Sequence, residues 1–243
     1  MSGLRLLRIG AALPLIVNGG YLAIHVELLL HDFDSTLSAP LRFTRTVLCA
    51  LLAVLAVRLA RERRDALFVL AVMAVVVAAD VFLILIPRFL VGLGLFAVVH
   101  ALLLIRHLRD LRASLARPEV RRLLRIEALI IAAVGVGLSL VFFPQLGAMR
   151  ALFAAYFALL LVGSWAAIAT IHRDTWPRPC AVGIAVGMVL FAICDVALGL
   201  GEALRMPVLR RVVPDLTYTL ALLGIVLSTV DWDAPPRPGR TTI

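Results

Sequence analysis

Residues 75–85 read VVVAADVFLIL, an apolar run interrupted once, by Asp80. The run does not alternate as a barrel strand would. It lies in a longer apolar stretch, 66–86, close to the ~20 residues a helix needs to cross a bilayer. An ionised Asp near the middle of such a helix costs at least ~2.5–3.5 kcal/mol. A chain that keeps one there must turn it towards a polar cavity or a partner, inside a bundle of further helices. Such helices follow on both sides of Asp80: apolar segments cover 6–30, 43–60, 66–86, 89–107, 124–143, 148–171, 179–200 and 213–230. The expected fold class is all-α, a polytopic membrane bundle of eight transmembrane helices.

Composition agrees with a membrane chain. Of the 243 residues, 63% are hydrophobic, and the mean hydropathy is +1.04; soluble domains sit near about 45–50% apolar. The formal charge is +9, and all 24 basic residues are Arg. A basic chain can suit nucleic acid. Here the arginines stand between apolar segments and no nucleic-acid motif accompanies them, so membrane lipids are the expected partners and nucleic acid is not. With the N-terminus in the cytoplasm, 17 of the 24 arginines fall on the inner side. That asymmetry predicts a multi-pass protein of the cell membrane with both termini cytoplasmic. The apolar run behind MSGLRLLRIG continues past Pro14 without an A-x-A-like site, which predicts an uncleaved first span rather than a signal peptide.

A second run, VLFAICDVALGL at 189–200, repeats the arrangement around Asp195. Both acids are followed by Val, at Val81 and Val196, with an offset of 115 residues. A single transmembrane domain, 1–230, is expected, with halves 1–110 and 124–230 joined by a basic loop, 111–123. Four spans in each half fit a parallel 4+4 repeat. Residues 231–243, DWDAPPRPGRTTI, are polar and Pro-rich and predict a disordered cytoplasmic tail.

Two carboxylates at matching places would meet across a shared, water-poor site, where both cannot ionise cheaply; one keeps a proton. Such a pair supplies a general acid and a general base. The plainer alternative is that each Asp pins a neighbouring helix or pairs with an Arg such as Arg88. His100 lies eleven residues into the fourth span, and the short turn at Pro87 and Arg88 brings that span beside the third. Asp80 and His100 are therefore expected at one cavity. Tyr218, at the start of the last span, is either an interface anchor or a cavity residue. Asn18 and Tyr21 lie deep enough in the first span to line a cavity, whereas His25 and Glu27 stand near the outer surface. Glu127 and Asp215 read as residues at helix N-termini. Cys49, Cys180 and Cys194 form no CxxC and read as packing residues, with no disulfide and no zinc site. No ligand spacing suggests a metal, no paired histidines suggest haem, and no cofactor is expected.

These residues resemble the YhhN family, the lysoplasmalogenase-like integral membrane proteins. The likeness lies first in AADVFLILIPRFLVGLGLFAVVHALLL, where Asp80, Leu83, Phe89, Gly92, Phe96 and His100 stand at the family's places. It lies next in GMVLFAICDVALGL, with Phe191 and Asp195, and in YTLALLGIVL, with Tyr218. Ala79 and Cys194 depart from the family's usual Gly and Ser. The resemblance implies an eight-span bundle and hydrolysis of the vinyl ether bond of a lysophospholipid, the lysoplasmalogen, to a fatty aldehyde and a glycerophospho-headgroup. It implies catalytic roles for Asp80 and Asp195, in either order. His100, Tyr218, Asn18 and Tyr21 would orient substrate or water. A vinyl ether is cleaved by protonation at carbon, through an oxocarbenium ion, as in glycoside hydrolysis. The competing expectation is a non-enzymatic lipid-binding or transport bundle that uses the same acids.

Overall fold

The computed structural model describes residues 3–31 and 38–232. The side chains of His25 and Glu27, and residues 233–243 of the expected tail, lie outside the described residues. The chain forms α1 (Gly3–His31), α2 (Ser38–Arg58), α3 (Arg63–Asp80), α4 (Phe89–His107), a short α5 (Leu111–Leu115), α6 (Pro118–Phe142), α7 (Arg150–Ile168), α8 (Arg178–Ala203) and α9 (Pro207–Leu227). Among the described residues there is no strand, only one antiparallel bridge between Ala60 and Val230.

Seven of these helices are long and apolar enough to cross a membrane. The eighth expected span, 213–230, falls in α9 and the turn after it. That helix carries Arg210, Arg211 and Asp215 and stands outside the seven. Its other face is apolar and packs on α8, α1, α2 and α3. The α8–α9 contact is backbone on backbone. A Cβ on Gly224 would stand 2.9 Å from the Gly183 carbonyl oxygen, and one on Gly187 would stand 3.0 Å from that of Ala221. Small residues at such positions let two helices approach without side chains between them.

One core runs through both halves of the chain: Leu52, Val69, Met73 and Phe96 join Ile184, Met188, Phe191 and Leu222. By contrast α6 packs on α7 and α5 and, more lightly, on α8, with Leu129, Ile130 and Leu140 outward. The basic linker is shorter than expected. Helix α6 already starts at Pro118, a favoured first position, so Arg121, Arg122 and Arg125 are its opening turns, and α5 occupies much of the rest. Glu127 is consequently not at a helix N-terminus; it stands mid-helix, 2.7 Å from His172 Nε2.

The Arg-rich connections gather at one end. Arg61 donates to the Thr175 carbonyl, Arg117 pairs with Asp174, and Arg173 donates to the carbonyls of His107 and Arg109. Burial lowers the Arg173 guanidinium from its ordinary pKa, an effect that Asp110 opposes. Just inside this end, Arg106 makes a two-pronged contact with Asp65, at 2.9 and 2.7 Å, and donates to Ser228 at 3.1 Å. Buried charges of this kind survive only when paired and hydrogen-bonded.

Candidate functional site

The polar residues of the opposite half form three connected groups. Helix α3 ends at Asp80 and continues as a π turn over Val81–Leu85, an irregularity frequent at functional sites. The turn fits because α4 presents Gly92 there; a Cβ would stand 2.4 Å from Leu83 Cγ. Asp80 is buried. Its Oδ2 accepts hydrogen bonds from Thr46 of α2 at 2.6 Å and from the Tyr218 hydroxyl of α9 at 3.0 Å.

Asp195, on α8, has different partners. Its Oδ2 accepts the Tyr156 hydroxyl of α7 at 2.7 Å and lies 3.0 Å from His100 Nε2 of α4. The imidazole of His100, expected at one cavity with Asp80, bonds the other acid. His100 is fully buried and its Nδ1 has no hydrogen-bond partner. A buried N–H without an acceptor is costly, so the tautomer that fits carries its proton on Nε2 and donates to Asp195. Both contacts end on Oδ2. Among the described residues no hydrogen bond ends on Oδ1 of either acid.

The two carboxyls do not bond each other; each has its own donors. Aromatic rings connect them. Tyr218 lies 5.6 Å from Phe191, which lies 4.6 Å from His100, centroid to centroid.

The third group holds the remaining expected residues. Arg45 donates to Asp215 Oδ1 and to Asn18 Oδ1, and its guanidinium lies 5.6 Å from the ring centroids of both Tyr21 and Tyr218. Asn18 donates to the Asp215 carbonyl at 2.9 Å. Arg42 stands 3.4 Å from Asp215. Asp215 is thus a buried counter-ion inside α9, not a cap, because the helix starts earlier, at Pro207. Arg45, Thr46 and Tyr156 were not expected here. Tyr156 is the lone polar side chain in ALFAAYFALL, the same contrast that exposes Asp80.

A cavity of about 110 Å³ lies among α2, α4, α7, α8 and α9, with one wall from the π turn and Leu138 of α6. On that measure it has room for several waters. Its polar lining is Asp195, Tyr156, Tyr218, Arg42, Arg45 and Asp215; the rest is almost wholly apolar, including Phe89, Leu93 and Phe157. Asp195 lines it and is 18% exposed. Asp80 does not; it stands behind Tyr218. Among the described residues no group of three or more His, Cys, Asp or Glu side chains could hold a metal. All three cysteines are buried free thiols.

A model of the YhhN family matches residues 41–229, which contain all three groups except Asn18 and Tyr21. No curated protein and no solved structure matches the chain.

Proposed function

This chain belongs to the YhhN family, and from that premise we propose that it is a membrane hydrolase that cleaves the vinyl ether of a single-chain ether phospholipid, a lysoplasmalogen. The products are a fatty aldehyde and a glycerophospho-headgroup. The observation that carries this reading is Asp195. It lines the cavity beside a largely apolar wall, and its Oδ2 takes two neutral donors, Tyr156 and His100, rather than an arginine. A carboxylic acid whose carbonyl oxygen accepts two bonds keeps its hydroxyl for the ligand.

In the proposed cycle, Asp195 donates its proton to the alkene carbon β to the ether oxygen. The electrons of the double bond form that C–H bond, and the adjacent carbon becomes an oxocarbenium ion beside the new carboxylate. As Asp195 becomes anionic, the bonds from Tyr156 and His100 become charge-assisted and shorten. Water adds to the cationic carbon and returns a proton to Asp195. The hemiacetal then breaks between that carbon and the glycerol oxygen, which takes the hydroxyl proton. Asp80 does not meet substrate in this scheme; through its hydrogen bond it holds Tyr218 in the cavity wall. The same reading takes α9 as the eighth crossing of the cell membrane, the two halves as a 4+4 repeat and both termini as cytoplasmic.

The test is aldehyde release by purified protein from 1-alkenyl-lysophosphoethanolamine in detergent. In D₂O the aldehyde should carry one deuterium on its α-carbon, and ¹⁸O from water should enter the aldehyde rather than the glycerol. Folded protein that releases no aldehyde, or an Asp195→Asn variant that keeps full activity, refutes the proposal. Proton-driven accumulation of lipid in vesicles without cleavage would instead establish the transport reading.

A further inference from the structure

Arg42 and Arg45 line the same cavity as Asp195, and among the described residues a single carboxylate, that of Asp215, answers them. The Arg45 side chain is 3% exposed, and its Nε is buried without a hydrogen-bond partner; the Arg42 side chain is 36% exposed. Arg45 and Asp215 form the closer pair and Arg42 stands further off, at 3.4 Å, so among the described residues the charge left over sits on Arg42. Arg42 lies four residues into α2, between the end of the bundle and the apolar chamber. A cation at this place beside an apolar chamber suits an amphiphile whose anion stays at the mouth while its chain goes in. Planar guanidinium groups match phosphate oxygens in geometry and charge. Asp195, in the same cavity, holds its partners on another side, at His100 and Tyr156. Positive charge at Arg42 and a carboxyl at Asp195 thus complement a ligand that has a phosphate at one end of its glycerol and develops a cation at the other.

We propose that Arg42, backed by the Arg45–Asp215 pair, is the receptor for the phosphate monoanion of a single-chain glycerolipid, and so sets the choice of phospholipid over neutral lipid. The proposal rests on the hydrolase reading for the chain-bearing part of its ligand, but its test does not need catalysis. The probes are an ester lysophosphatidylethanolamine, which has no vinyl ether, a monoacylglycerol of the same chain, and chainless glycerophosphoethanolamine. Binding to the full chain in detergent is measured for wild type, Arg42→Gln and Arg42→Lys.

Wild type should bind the lysophospholipid at least tenfold more tightly than the monoacylglycerol. Arg42→Gln should lose most of that preference while holding monoacylglycerol affinity within twofold, and Arg42→Lys should restore part of it. Chainless ester that binds as tightly as the lysolipid, and loses affinity in Arg42→Gln, upholds the phosphate site and assigns it to a water-borne ester; much weaker binding assigns it to the lipid. A wild type with no preference overturns the proposal without recourse to any variant, as does an unchanged preference in folded Arg42→Gln. The two readings also fail separately. Phosphate-dependent binding without aldehyde release removes the hydrolase alone. Equal kcat/KM on a phosphate-free 1-alkenylglycerol removes the phosphate receptor alone.

Discussion

Replacing Tyr156 with Phe removes one hydroxyl and keeps the ring that packs 5.6 Å from His100. In the proposed cycle this hydroxyl donates to Asp195 both before and after the proton leaves. Before, the acceptor is a neutral acid, and the bond is worth about 0.5–1.5 kcal/mol; after, it is a carboxylate, and the bond is worth about 1.5–3 kcal/mol. Only the difference, about 1 kcal/mol, lowers the barrier, because equal stabilisation of ground and transition states does not accelerate the step. At 1.36 kcal/mol per decade, Tyr156→Phe should reduce kcat by about fivefold, with KM little changed. Continuous aldehyde detection with detergent-solubilised protein reads this directly. A loss of a thousandfold would make Tyr156 itself the proton donor, and an unchanged kcat would mean that Asp195 gains no charge in the slow step. Either result refutes the assignment of the acid.

Three further outcomes are expected. Asp195→Asn should lower aldehyde release by ~10²–10⁴-fold, the range for loss of a general acid, whereas Asp80→Asn, whose amide oxygen still accepts from Thr46 and Tyr218, should lose about tenfold or less; parallel initial rates decide. Gly224→Ala drives a methyl to 2.9 Å from the Gly183 carbonyl oxygen and should destabilise the α8–α9 contact by about 1–3 kcal/mol, seen as unfolding at lower denaturant. Asp65→Ala leaves Arg106 buried without its carboxylate and should cost about 3–5 kcal/mol, again by denaturant midpoint, while activity per folded molecule stays the same because the pair stands apart from the cavity.

The bundle was legible because apolar length is a strong signal: seven of the eight expected segments coincide with helices able to cross a membrane. Asp80, Asp195 and His100 stood out by contrast with their surroundings. Tyr156 carried the same contrast but one hydroxyl beside phenylalanines is a weaker one. Arg45 and Thr46 carry no such contrast. Polar residues near the start of a span usually reach for headgroups, and sequence does not say that a later helix will cover them. Asp215 looked like a cap because the last apolar run begins beside it; the helix extends further, to Pro207, since Val, Leu and Arg can continue it across the charge. Partner choice was the least legible feature. Spacing tells which face of a helix an acid occupies, not which neighbour turns towards that face, so the separate donors of the two carboxyls were not to be read from it.

The pairing of Arg45 with Asp215 joins residues 170 apart in the chain, and that separation bears on biogenesis. At about 5–20 residues per second, a ribosome needs about 10–30 s after making Arg45 to supply its counter-ion. Throughout that interval the nascent second helix carries an arginine without its carboxylate, and the pocket lacks Pro214, Asp215 and Tyr218. Stop codons ahead of position 215 should therefore yield chains that insert poorly and are cleared by quality control, however many hydrophobic segments they already contain.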